Sequence, residues 1–163
     1  MLGLTGLGVI HTVISLVAVG AGVAALFASG TISMRTTAGR VYVVTTILTC
    51  LSGLPIFQKG GFGPPHALAL LTLVVIAGAI ALEKGVLRHA AARYIETVAY
   101  SLTFFFHMIP GFTETSTRLP VGAPLATGPE DPALQAAIGA AFVVFVIGAA
   151  AQVWRLRARV AQS

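Results

Sequence analysis

Five apolar stretches divide this chain, and its charged residues fall almost entirely between them. The stretches are Leu4–Ala28, Val41–Phe57, His66–Leu82, Tyr94–Ile109 and Pro132–Trp154. Each is near the ~20 residues that a helix needs to cross a ~30 Å hydrocarbon core at 1.5 Å per residue. The pattern predicts an all-α polytopic bundle of five transmembrane helices in one domain, residues 1–163. The gap Gln58–Pro65 reads as a tight turn, with glycines for the unusual dihedrals and Pro64-Pro65 opening the next helix. The gap Pro110–Asp131 reads as a long outer loop. Its polar run from Thr113 to Arg118 suits a cover over the bundle mouth.

The basic residues assign an orientation. Arg35 and Arg40 occupy the first gap, Lys84, Arg88 and Arg93 the third, and Arg155, Arg157 and Arg159 the tail; the other side holds only Lys59 and Arg118. The positive-inside rule then places the N-terminus outside and the C-terminus in the cytoplasm. Trp154 and the three tail arginines read as an interfacial anchor. The first stretch lacks the basic n-region of a signal peptide, so it counts as a span.

Composition narrows the function classes. Only 9% of residues are charged and mean hydropathy is +0.92, too apolar for a soluble surface of this size. The pI of about 10.2 reflects basic residues at helix ends, which suits anionic lipid headgroups on the cytoplasmic side. Aromatic residues do not interleave with the basic ones, so nucleic acid is not an expected partner. The single cysteine, Cys50, excludes an internal disulfide and reads as a packing residue.

Polar residues inside apolar spans carry the candidate chemistry, because they cost free energy in lipid unless they face the protein. Glu96, Tyr100, Thr103 and His107 fall at i, i+4, i+7 and i+11, one face of the fourth span. That stripe reads as a proton path from Glu96 towards His107; the plainer reading pairs Glu96 with Arg93 or Arg40 at the interface. Glu83 beside Lys84 reads as interfacial. With the predicted orientation, His11 lies about 10 Å and His107 about 6 Å below the outer surface, with His66 at the rim. These three, assisted by Glu114, form a candidate site for haem b or a Cu or Zn ion. The plainer readings make His66 an interfacial residue beside the prolines, and His11 and His107 polar contacts between helices. There is no Gly-x-Ser-x-Gly, His-Glu-x-x-His or phosphate-loop motif.

The segment Met34-Arg35-Thr36-Thr37-Ala38-Gly39-Arg40-Val41-Tyr42, leading to Leu51-Ser52-Gly53, together with Arg88-His89, resembles the DUF2306 group of bacterial membrane proteins. The likeness covers residues 34–110. That group places a His before Gly-Arg, where this chain has Met34 and Thr36. The resemblance implies a helical bundle in a bacterial inner membrane and no activity. Three functions therefore stay open: a redox or metal-handling protein using His11 and His107, a proton-coupled small-solute carrier using Glu96, Tyr100 and His107, and an accessory subunit. The subunit would dock on a larger membrane complex, or on a second copy, through the Gly/Ala-rich fifth span around Gly139 and Gly148.

Overall fold

The computed structural model describes residues 5–57, 61–89 and 91–160. Leu4, the Gln58-Lys59-Gly60 part of the second gap and the last three residues of the tail lie outside them. Five helices follow one another: α1 (Gly6–Ser29), α2 (Thr37–Gly53), α3 (Pro64–Glu83), α4 (Ala92–Arg118) and α5 (Pro132–Val160), with no strand among the described residues.

Local chemistry sets the helix ends. Thr5 caps α1 by accepting the Gly8 N–H at 3.1 Å. Gly30 closes α1 in the left-handed region, at φ 74°, where its N–H bonds the Leu26 carbonyl. Thr36 caps α2 by accepting the Gly39 N–H at 3.1 Å, so α2 starts four residues before the predicted Val41. It stops at Gly53 because Pro55 has no N–H to continue the ladder. Pro64 and Pro65 fill the first turn of α3 as expected.

The largest departure is α4. A loop was expected from Pro110, yet the helix runs through that proline to Arg118. The ring removes one hydrogen bond, to the Phe106 carbonyl, and the helix continues past it on the bonds of the following turns. The Thr113 hydroxyl donates to the Ile109 carbonyl at 2.8 Å, and Thr117 to that of Thr113 at 2.7 Å. Glu114 and Arg118 add an i,i+4 ion pair. What remains of the loop folds back, with the Ala126 N–H on the Ser116 carbonyl at 2.9 Å. Asp131 ends it by accepting the Thr127 and Ala133 N–H groups at 3.1 and 3.0 Å; those donors hold its carboxyl below the usual carboxylate range. The tail continues α5 past Trp154 as helix, to Val160.

Three helices, α1, α3 and α5, are long and apolar enough to cross a membrane; α2 and α4 are not. The five-span expectation thus reduces to three on this criterion. α2 is short, at 17 residues, and both α2 and α4 carry the polar faces that the bundle buries. Thr46 and Thr103 are fully buried and Glu96 is 3% exposed, whereas Phe27 is 89% and Val144 70% exposed. Polar groups inside and apolar groups outside is the reverse of a water-soluble protein. α4 is central, packing against α1, α3 and α5. Tyr42, Val43, Ile76, Ala79, Tyr100, Ala25 and Ile32 form one buried cluster.

The α1–α2 connection approaches α2 more closely than any side chain permits. A Cβ on Gly39 would lie 2.0 Å from the Ser33 carbonyl oxygen, a backbone atom. Gly39→Ala is expected to lower the unfolding free energy in detergent by about 1–3 kcal/mol despite alanine's better helix propensity. An unchanged unfolding midpoint would refute this account of the connection.

Candidate functional site

Two buried polar clusters occupy opposite ends of the bundle. The first lies where α3 ends and α4 begins. Glu83, the last residue of α3, turns into the bundle instead of facing the interface. It accepts the Ser33 hydroxyl at 2.6 Å, the Tyr100 hydroxyl at 2.7 Å, and the Met34 and Arg35 N–H groups at 3.1 and 3.2 Å. Glu96 pairs with neither Arg93 nor Arg40. Its partner is Arg35, whose Nη1 lies 2.6 Å from Glu96 Oε1 and 3.2 Å from Glu83 Oε1. Arg35 Nη2 also donates to the Glu83 carbonyl at 3.2 Å. Both carboxylates are 5% exposed and Arg35 is 44% exposed. The hydrogen bond it donates to Glu96 raises the guanidinium above its ordinary pKa, so it stays charged. Two carboxylates share one cation here.

The predicted path along α4 divides at this point. The Tyr100 hydroxyl serves Glu83, away from Thr103. Thr103 gives its own proton to the Tyr100 carbonyl at 2.8 Å. Its oxygen is therefore the acceptor for the Tyr42 hydroxyl, 2.8 Å away on α2. One turn further, Thr46 on α2 meets His107 Nε2 at 3.0 Å. The Tyr42 ring stands edge-on to His107, centroids 6.0 Å apart. No Cα of α2 lies within 8 Å of one in α4, so side-chain hydrogen bonds span the gap.

The second cluster extends from His107 to His11. His11 Nδ1 lies 3.2 Å from Ser52 Oγ. Ser52 donates its proton to the Thr49 carbonyl at 3.1 Å, so His11 Nδ1–H is the donor and Nε2 keeps its lone pair. The contact needs Gly53, where a Cβ would sit 3.0 Å from His11 Cε1. His11 is within electrostatic reach of His107 and Glu114. Glu114 reaches this end from the extended α4, paired with Arg118.

His66 does not join that cluster. Its Nδ1 accepts the Gly63 N–H at 3.1 Å and so caps α3. The ring is stacked on Phe57 and Phe62, with centroids 4.9 and 5.3 Å apart. With Nδ1 occupied, the neutral ring carries its proton on Nε2, which is buried with no hydrogen-bond partner. Neither nitrogen then offers a lone pair to a metal. Among the described residues, no group of three or more His, Cys, Asp or Glu side chains is arranged to hold a metal ion. Cys50 is a buried free thiol, as a packing residue should be.

Sequence reasoning missed Arg35, Glu83, Tyr42 and Gln152 as structural partners. Gln152 on α5 accepts the Ser101 hydroxyl at 2.8 Å and donates to the Gly30 carbonyl at 2.9 Å, joining α4, α5 and the end of α1. A lone amide between the apolar run and the tail arginines was the available signal. No protein-family model matches the chain, and neither curated proteins nor solved structures include a significant match.

The hydrogen bonds fix two tautomers. Nitrogen NMR of imidazole-labelled protein at neutral pH is expected to show His66 protonated on Nε2 and His11 on Nδ1. The opposite tautomer at His66 would return it to the set of candidate ligands.

Proposed function

We propose that this protein is a proton-coupled carrier of a small solute, with five spans in a bacterial inner membrane and its carboxylate cluster on the cytoplasmic side. The observation that carries the reading is the division of the polar groups into two clusters. The carboxylates of Glu83 and Glu96 lie at one end and the imidazoles of His11 and His107 at the other, with Ala25, Val43, Ile76 and Ala79 packed around the two tyrosine rings between them. A continuous wire would leak protons. Two titratable ends separated by an apolar layer suit a protein that changes shape between loadings.

The orientation follows from the eight basic residues at the carboxylate end. The membrane placement of α2 is supported by its outer face, where Val41, Val44, Leu48 and Leu51 are exposed. Seventeen residues make α2 about 25 Å long, short but serviceable for a bilayer that thins locally. In this reading Glu96 is the coupling group. Protonating it leaves Arg35 and Glu83 as a balanced pair and frees the guanidinium from one of its two anchors. The Ser33–Arg35 strap then loosens from α4. Tyr42, Thr46 and His107 define the second station, with His11 beside it.

The redox or metal reading keeps His11 and His107 as ligands, with Glu114 at the same end, and loses His66. The accessory-subunit reading has one observation of its own. α5 packs along α4 and otherwise meets only the end of α1, through Gln152 and Arg155, and nothing lies within 4 Å of a Cβ placed on Gly139 or Gly148.

Proteoliposomes carrying an internal pH dye test the proposal against a panel of amino acids, sugars and amines. One solute class is expected to drive proton movement with wild-type protein and none with Glu96→Gln. If no solute moves protons and purified protein carries stoichiometric Cu, Zn or a Soret band, the carrier reading is wrong and the redox one takes its place.

A further inference from the structure

The outer surface of α4 and α5 holds a groove that the carrier reading does not use. It has a volume of 360 Å³ and is lined by Val98, Ala149, Ala150, Val153, Trp154 and Arg157. The side-chain sizes explain it. Ala149 and Ala150 leave space beside Val98, and Trp154 forms a wall at one end; its ring is 72% exposed. One more turn of α5 brings Arg157 to the lip.

The arginines near this end are not equivalent. Arg35 is held by Glu83 and Glu96. Arg155 reaches the end of α1, with Nη1 3.4 Å from the Cβ position of Gly30, where a cation suits the negative pole of the helix dipole. Arg159 lies with Arg155 in a small separate recess against Ser29 and Thr31. Among the described residues, Arg157 alone combines exposure, no ion pair and a place on the apolar groove.

We infer that this groove seats one acyl chain of an anionic phospholipid, with its phosphate on Arg157. The charge at the lip selects the headgroup, and the walls match a hydrocarbon chain. From Ala149 to Arg157 α5 rises about 12 Å, enough for the upper part of one chain. Trp154 sits at the headgroup boundary, where its amphipathic ring belongs. A partner helix would have to bury the Arg157 charge against lipid-facing side chains, whereas a phosphate neutralises it with charge-assisted hydrogen bonds. The inference rests on α5 crossing the bilayer, not on proton coupling.

Native mass spectrometry of the full chain, released from detergent with phosphatidylglycerol or phosphatidylcholine, reads the site directly. Wild-type protein is expected to retain one phosphatidylglycerol in preference to phosphatidylcholine. Arg157→Gln should weaken that retention about fivefold, the worth of one interfacial cation. Ala150→Leu should fill the groove and reduce retention of both lipids, while Arg159→Gln, in the other recess, should leave retention unchanged. Equal retention of the two lipids by wild-type protein would overturn the inference, as would an unchanged preference in Arg157→Gln. A dimer that Ala150→Leu dissociates would also overturn it, because the groove would then belong to a second copy. Each result reads independently of whether protons move.

Discussion

Polar groups withdrawn from water must pair, and in this bundle that requirement joins α2 to α4. Their backbones stay apart, so ordinary helix packing does not hold them together. The Tyr42–Thr103 and Thr46–His107 hydrogen bonds do, and each uses a side chain long enough to bridge the gap. An unmade partner at this depth costs more than the bond itself contributes. The two helices are therefore fixed in rotation: turning either by one residue would carry a hydroxyl or an imidazole away from its partner. Because α4 also contacts α1, α3 and α5, this rotation sets the faces that all the others meet.

The carboxylate end applies the same rule to charge. Glu83 satisfies its oxygens with four donors, three of them from the Ser33–Arg35 strap. Arg35 then reaches past Glu83 to Glu96. Apart from Met34, which packs against the buried core, the strap is held by polar contacts, and these depend on the ionisation of the groups they join. A connection closed this way is firm while both carboxylates are charged and weaker when one is neutral. Gln152 is different: an amide cannot titrate, so its bonds to Ser101 and Gly30 keep α4, α5 and the end of α1 together whatever the proton load.

The helices were legible from the sequence because hydropathy reports burial in lipid, and the polar face of α4 because its residues repeat at helical spacing. All four stripe residues are buried. Their partners were not legible. Periodicity says which side of a helix is polar, not which neighbour meets it, and the guesses for Glu96 were Arg93, one turn away on the same helix, and Arg40 at the same expected interface. The true partner, Arg35, comes from a connection whose path depends on Gly39 and the Thr36 cap. Pro110 was read as a stop because its missing N–H is visible in the sequence, while the threonines after it, whose hydroxyls bond back to the helix backbone, looked like loop. His66 shared an expected depth with His11 and His107, but depth carries no information on which ring nitrogen is already engaged.

A double-mutant cycle on Tyr42 and Thr103 tests the central claim most directly. Unfolding free energies of wild-type protein, Tyr42→Phe, Thr103→Val and the double variant would be compared in mixed micelles. Hydrogen bonding across the α2–α4 gap predicts a coupling energy of about 0.6–1.7 kcal/mol. Additivity within about 0.3 kcal/mol would mean that the two hydroxyls do not hold the helices together, and the account of the bundle built on them would fail.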